Sequence, residues 1–332
     1  MTSTPVVAVL DAMPPASRDV ISDVFGSRFD IVFVPDNTPA AKHTAAADAT
    51  VLLTMWGAVD AATIAAAPHC RLIQKLGVGT DKIDCDAADR RGIAVLKAAG
   101  INADAVAELA VLLMISVGRD LGRAMAGARS GRMVKEELRA ESFQLLGRTV
   151  GLLGLGHIGR AVASRLRGFG VTVVYHDLVR ADEATEREYA IRYLPADDLV
   201  ATADVISLHL PGTPATERLV DDAFLARVKP GVIIVNTARG SLIDEAALVR
   251  AVEDGRVLGA GLDVTAEEPL PVTSPLHGLD RVLLTPHVGG AVANNFPRVI
   301  QRAFHNATAV LDGEQVNPSD VVIWPEPLGV RS

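Results

Sequence analysis

Residues 150–177 read VGLLGLGHIGRAVASRLRGFGVTVVYHD: an apolar run, three glycines spaced GxGxxG, an Ala/Arg-rich stretch, and a second apolar run closed by Asp177. Taken alone, the glycines mark only a turn. Here a strand precedes them, a helix follows, and Asp177 stands 18 residues past the third glycine (177 − 159 = 18), as in a βαβ unit that binds a dinucleotide. In that reading Gly154 permits the tight turn, Gly156 lets the backbone approach a pyrophosphate, and Gly159 lets helix and strand pack closely. His157 and Ile158 occupy the phosphate turn, where free N–H groups and the helix dipole favour an anion. Asp177 is placed to accept hydrogen bonds from the ribose hydroxyls, and its charge repels a 2′-phosphate. This favours NAD, with NADP the lesser choice, kept open because Arg180 is near enough in sequence to meet a phosphate.

Strand-length apolar runs extend in both directions from this unit. VVAVL (6–10), IVFV (31–34), TVLLT (50–54), LIQKL (72–76) and IAVLK (93–97) precede it; DVISLHL (204–210), GVIIVNTA (231–238), GAGLDV (259–264) and VLLTPH (282–287) follow. They are continuous rather than alternating, as strands buried on both faces require. Alternation with Ala-rich helical stretches predicts an α/β protein with right-handed βαβ crossovers on parallel sheets. One segment, 103 to about 132, is longer than a crossover and free of proline, and reads as a single long helix followed by the polar KEELRAES (135–142). A second helical stretch begins after Gly290. We expect a split first lobe, 1–101 with 292–332, around a continuous lobe at 102–291.

Composition narrows the function. The 332 residues are 49% hydrophobic with a formal net charge of −8, and without a basic block nucleic acid is an unsuitable partner. No apolar run approaches the roughly 20 residues of a membrane span, and no basic segment precedes the first apolar run, so a cytoplasmic protein is expected. Cys70 and Cys85 lack metal-site spacing and read as reduced, small core residues; no metal is expected.

Ligands of parallel α/β sheets bind beyond the carboxyl ends of the strands. Three such ends carry chemistry: Arg239 after VIIVNTA, Glu267 and Glu268 before Pro269 after GAGLDV, and His287 in LLTPHVGG (283–290). Each has a plainer role available, as a solvated arginine, a surface loop or a structural histidine. Together they are complementary. A guanidinium fork holds a carboxylate and polarises the neighbouring carbonyl. An imidazole exchanges a proton near neutral pH, and a carboxylate orients it. Hydride transfer to a 2-keto acid needs those three functions.

KLGVGTDKIDCDAADRRGI (75–93), NADAVAELAVLLM (102–114), GLLGLGHIGR (151–160), DVISLHLPGTPAT (204–216), VNTARGSLIDEAAL (235–248), GLDVTAEEPL (261–270) and LLTPHVGG make the chain resemble the D-isomer-specific 2-hydroxyacid dehydrogenases over nearly its whole length. The resemblance implies a Rossmann-like NAD-binding domain inserted into a flavodoxin-like substrate domain, a homodimer, and a small 2-hydroxy or 2-keto acid as substrate. It implies Arg239, Glu268 and His287 as catalytic residues, with Glu268 chosen because the family glutamate directly precedes the proline. It also implies substrate contacts at Gly77, Val78 and Gly79, beside Arg239 and His287. Val106, His209, Pro211, Thr216, Thr237, Ala238, Asp263 and Gly289 would line the cofactor cleft.

Relatives acting on 3-phosphoglycerate commonly carry an Arg-Ser pair where this chain has LLTMWGAVD (52–60), with no basic residue. Met55 or Trp56 offers an apolar wall instead, which disfavours a phosphorylated substrate. Lys97, Ala99 and Thr265 also depart from the usual asparagine, proline and aromatic, and leave the substrate's length open. Two other functions compete: an NAD(H)-sensing binding protein similar to the corepressors of this fold, and oxidation of a one-carbon acid such as formate.

Overall fold

The computed structural model describes residues 4–325; residues 1–3 and 326–332, the outer ends of the expected discontinuous lobe, lie outside the described residues. The chain divides into two units, Met1–Ile101 with Ala293–Ser332, and Asn102–Val292.

In the first unit, β1 (Val6–Val9), β2 (Asp30–Phe33), β3 (Val51–Thr54), β4 (Leu72–Lys75), β5 (Ala94–Leu96) and β13 (Val321–Ile323) form a sheet ordered β13-β5-β4-β3-β1-β2. The first five strands pair in parallel. β13 runs antiparallel to β5, against the expectation of purely parallel sheets. This short edge strand is pinned by the buried Asp320, whose carboxylate accepts from Ala99 N–H at 3.0 Å and the Asn306 amide at 3.1 Å and meets Arg302 Nε at 2.7 Å.

The second unit has β6 (Thr149–Leu153), β7 (Thr172–His176), β8 (Ile191–Tyr193), β9 (Val205–Leu208), β10 (Val232–Asn236), β11 (Val257–Leu262) and β12 (Val282–Leu284), ordered β12-β11-β10-β9-β6-β7-β8. Every pairing among them is parallel. Successive residues face opposite sides of a strand, and both sides are buried. Ile206 and Ile234 join one core with Phe224 and Leu248, while Val205 and Ile233 join the other with Leu113 and Met114. That double burial explains the continuous apolar runs. Chain order reverses between β6 and β9, the position where such sheets open a crevice.

The expected single helix is two, Ala103–Gly118 and Leu121–Arg129. Between them Asp120 adopts a left-handed backbone, φ +48°, a conformation that Asp tolerates better than most residues. Its buried carboxylate is met by Arg123 at 2.9 Å and Arg281 at 3.4 Å, a tertiary contact invisible to helical periodicity. The polar stretch that follows forms its own short helix, Lys135–Glu141. Cys70 is buried, and burial pushes its thiol up to about 12; Cys85 is half-buried at a helix start, so only the first is a true core residue.

Candidate active site

The glycine turn joins β6 to the helix His157–Leu166. Gly154 has φ +99°, and a Cβ there would stand 2.5 Å from the His209 carbonyl oxygen. A Cβ on Gly159 would stand 2.3 Å from the Gly154 oxygen. Both glycines are therefore dictated by packing. Gly156 is different: a Cβ there would meet nothing within 4 Å. The protein gives this glycine no neighbour, which leaves room for a ligand to approach the backbone. No side chain caps the helix at Gly156, so its first-turn N–H groups remain available to an anion. Asp177, just beyond β7, accepts the Leu155 N–H at 2.7 Å, which ties its carboxylate to the turn.

Arg239, Glu268 and His287 follow β10, β11 and β12, three adjacent strands. β10 lies two strands from β6 in the sheet order, about 10 Å at normal strand spacing. Asn236 shapes the first turn: its amide donates to the Arg239 carbonyl at 2.8 Å, and its oxygen accepts the Ala238 N–H at 3.0 Å. Arg239 is half-buried, and its guanidinium donates to the Ala238 carbonyl at 2.6 Å. Gly240 then lets the next loop pass. A Cβ there would stand 2.0 Å from the carbonyl carbon and oxygen of Thr265. The loop carrying Glu268 thus rests directly on the Arg239 turn.

His287 Nδ1 lies 2.8 Å from Glu268 Oε2. A carboxylate only accepts, so Nδ1 donates and Nε2 is the ring nitrogen not engaged by Glu268. The two side chains are 52% and 38% exposed, within reach of a small ligand. His287 has φ +54°, in a region sparsely populated by non-glycine residues. Buried Asp263 imposes that geometry. Its backbone oxygen accepts the His287 N–H at 2.7 Å, and its carboxylate accepts from Thr285 Oγ1 at 2.6 Å and from the N–H groups of Val288 and Gly289, both at 2.8 Å. Asp263, one of the positions expected along the cofactor cleft, commits its carboxylate to this loop.

The remaining expected positions divide. Val106 is buried on its helix and would meet a Cβ at Gly289 at 3.4 Å, so these two are neighbours. Ala238 and Thr237 are buried. Thr216 donates to the Pro211 carbonyl at 2.7 Å and closes the turn after β9. Both ring nitrogens of His209 and the hydroxyls of Ser207 and Thr237 are shielded from solvent without a hydrogen-bond partner among the described residues. Burial pushes the His209 imidazole down to about 4. Orphaned polar atoms at the ends of β9 and β10 fit a site completed by a polar ligand.

In the other unit, Gly77, Val78 and Gly79 form a half-buried bend after β4. The preceding loop is held by a residue that sequence reasoning missed: buried Asp11 accepts the N–H groups of Met55 and Gly57, each at 2.6 Å. Lys75 Nζ donates to the Met55 carbonyl. Asp11, Asn236 and Gly240 carried only faint signals, each a polar residue or glycine at the end of an apolar run.

This combination, a doubly wound parallel sheet with a glycine turn and polar residues at three neighbouring strand ends, defines a dinucleotide-binding α/β protein. Residues 111–289 match the family described as D-isomer specific 2-hydroxyacid dehydrogenase, NAD binding domain. The chain is 40% identical over 314 residues to a D-3-phosphoglycerate dehydrogenase of Mycobacterium bovis, covering 95% of this chain and 58% of that one. It is 40% identical over 243 residues to a hydroxypyruvate reductase of Thermotoga maritima, covering 73% and 78%. A solved glyoxylate reductase from Paecilomyes thermophila superposes with a TM-score of 0.83 at 30% identity, covering 97% and 99%. The chain belongs to the D-isomer-specific 2-hydroxyacid dehydrogenase family. It spans little more than half the length of its mycobacterial relatives.

Proposed function

We propose that this chain is an NAD-linked oxidoreductase acting at C2 of small, non-phosphorylated 2-hydroxy or 2-keto acids. The 2.8 Å contact between His287 and Glu268, beside the Arg239 turn, carries this reading. Gly154, Gly156 and Gly159 form the pyrophosphate turn, and Asp177 holds the ribose. When bound, NADH supplies the hydride that reduces C2. Arg239 holds the substrate carboxylate and polarises the carbonyl. His287 Nε2 gives its proton to the forming alkoxide, and Glu268 fixes the ring and balances its charge. By the family resemblance, Gly77, Val78 and Gly79 are proposed carboxylate contacts through their backbone N–H groups.

The loop Met55–Trp56 supports a non-phosphorylated substrate. It carries no cation of its own, Trp56 is 44% exposed, and the nearby Lys75 ammonium is engaged by the Met55 carbonyl. We also propose that a second copy covers the apolar groove lined by Leu112, Ile115, Met133, Leu138, Phe143 and Leu146. Met133 is 87% exposed, unusual for a methionine that faces water permanently. Free thiols at Cys70 and Cys85 support a cytosolic setting.

NADH absorbance followed against glyoxylate, hydroxypyruvate, pyruvate and branched or aromatic keto acids, with 3-phosphohydroxypyruvate as control, tests the proposal. Oxidation with one or more unphosphorylated acids is expected. Silence across the panel would favour an NAD(H)-sensing protein, and preference for the phosphorylated acid would overturn the substrate assignment.

A further inference from the structure

A latent second cofactor specificity is built into the turn after β7. Asp177 ends that strand, and Arg180 follows three residues later, a backbone span of about 10 Å at most. An arginine in this position is the group that accepts a 2′-phosphate in NADP-binding sheets. Here it is occupied. Arg180 Nε and one terminal nitrogen donate to the two carboxylate oxygens of Glu186 at 2.9 and 3.0 Å. Glu186 lies on the helix Glu183–Tyr189 and is itself held by the Tyr175 hydroxyl at 2.9 Å. That hydroxyl also accepts the Ala181 N–H at 2.9 Å, so strand, turn and helix are locked together. The guanidinium further lies over the Tyr193 ring, 5.6 Å from its centroid. Glu186 is 14% exposed and Arg180 60%, so the carboxylate is rigidly seated while the arginine closes onto it from the solvent side.

We propose that Glu186 is a specificity-determining residue, which excludes NADP by holding Arg180 in a two-pronged ion pair. Asp177 repels a 2′-phosphate, and Glu186 removes the one cation of this turn that could compensate. The inference rests on the NAD-linked reading above, and it concerns affinity rather than turnover. With the Glu186 charge removed and its hydrogen bond to Tyr175 kept, Arg180 is released toward the ribose side and gains a phosphate as a better partner.

The test is fluorescence titration of NADH and NADPH with the full chain, its E186Q and R180M variants, and the E186Q/R180M double variant. E186Q is expected to tighten NADPH about tenfold while NADH stays within about twofold, and the double variant to lose that gain. R180M alone is expected to leave NADPH binding unchanged, and this arm stands even if E186Q folds poorly. Unchanged NADPH affinity in E186Q, or weakened NADPH affinity in R180M, would overturn the inference while NADH binding stays intact. Absence of NADH binding to every protein would overturn the reading beneath it as well.

Discussion

Asp263 holds His287 directly and through its neighbours: the Asp263 backbone accepts the His287 N–H at 2.7 Å, while its carboxylate gathers three donors from Thr285, Val288 and Gly289. The imidazole is therefore aimed by a residue 24 positions upstream (287 − 263 = 24). In Asp263→Asn the side chain keeps one acceptor oxygen and loses the other. A stability loss of about 1–3 kcal/mol and a lowered kcat with KM little changed are expected, read from denaturant midpoints and steady-state kinetics. Unaltered kcat in a folded variant would remove Asp263 from the positioning of His287.

Gly240→Ala places a methyl group 2.0 Å from the Thr265 carbonyl. The loop carrying Glu268 must then move away from the Arg239 turn. Overpacking of this kind costs about 1–3 kcal/mol or more, and catalysis is expected to fall further than stability because two site residues lose register together. Near-normal keto acid reduction would show that this contact is dispensable.

Glu268→Gln keeps a hydrogen-bond partner for His287 Nδ1 and removes the counter-charge. Keto acid reduction is expected to slow about ten- to a hundredfold, with NADH binding unchanged by fluorescence. A variant as fast as the parent would reduce Glu268 to a surface residue.

His209 supplies a pH prediction. Burial pushes its imidazole down to about 4 in the folded protein, while an unfolded chain protonates it near 6.5. Between those values the unfolded state binds more protons, so stability falls as pH falls from about 6.5 toward 4. Followed from pH 7.5 to 4.5, the melting temperature of the parent is expected to fall more steeply than that of His209→Gln. Parallel curves would show that His209 is not held neutral by its surroundings.

The α/β class was legible because strands buried on both faces write continuous runs, such as VIIVN before Arg239, and because GxGxxG is local in sequence. Arg239, the Glu267–Glu268 pair and His287 stood out as polar residues at strand ends, and only the family resemblance singled out Glu268. What stayed hidden is tertiary. The break at Asp120 depends on Arg281, far along the chain. β13 is three residues long and anchored by Asp320, the residue just before it. The masking of Arg180 by Glu186 requires the helix after β7 to be folded against it. Periodicity reports which face is apolar, not which charged group a turn will meet.

The most direct measurement is single-turnover reduction of an accepted keto acid by His287→Asn with NADH in excess, alongside the NADH dissociation constant. If Nε2 of His287 delivers the proton, the rate falls about 10²–10⁴-fold while NADH binds within about twofold of the parent. A rate within a few-fold of the parent, at full cofactor occupancy, would contradict the assignment of His287 as the acid.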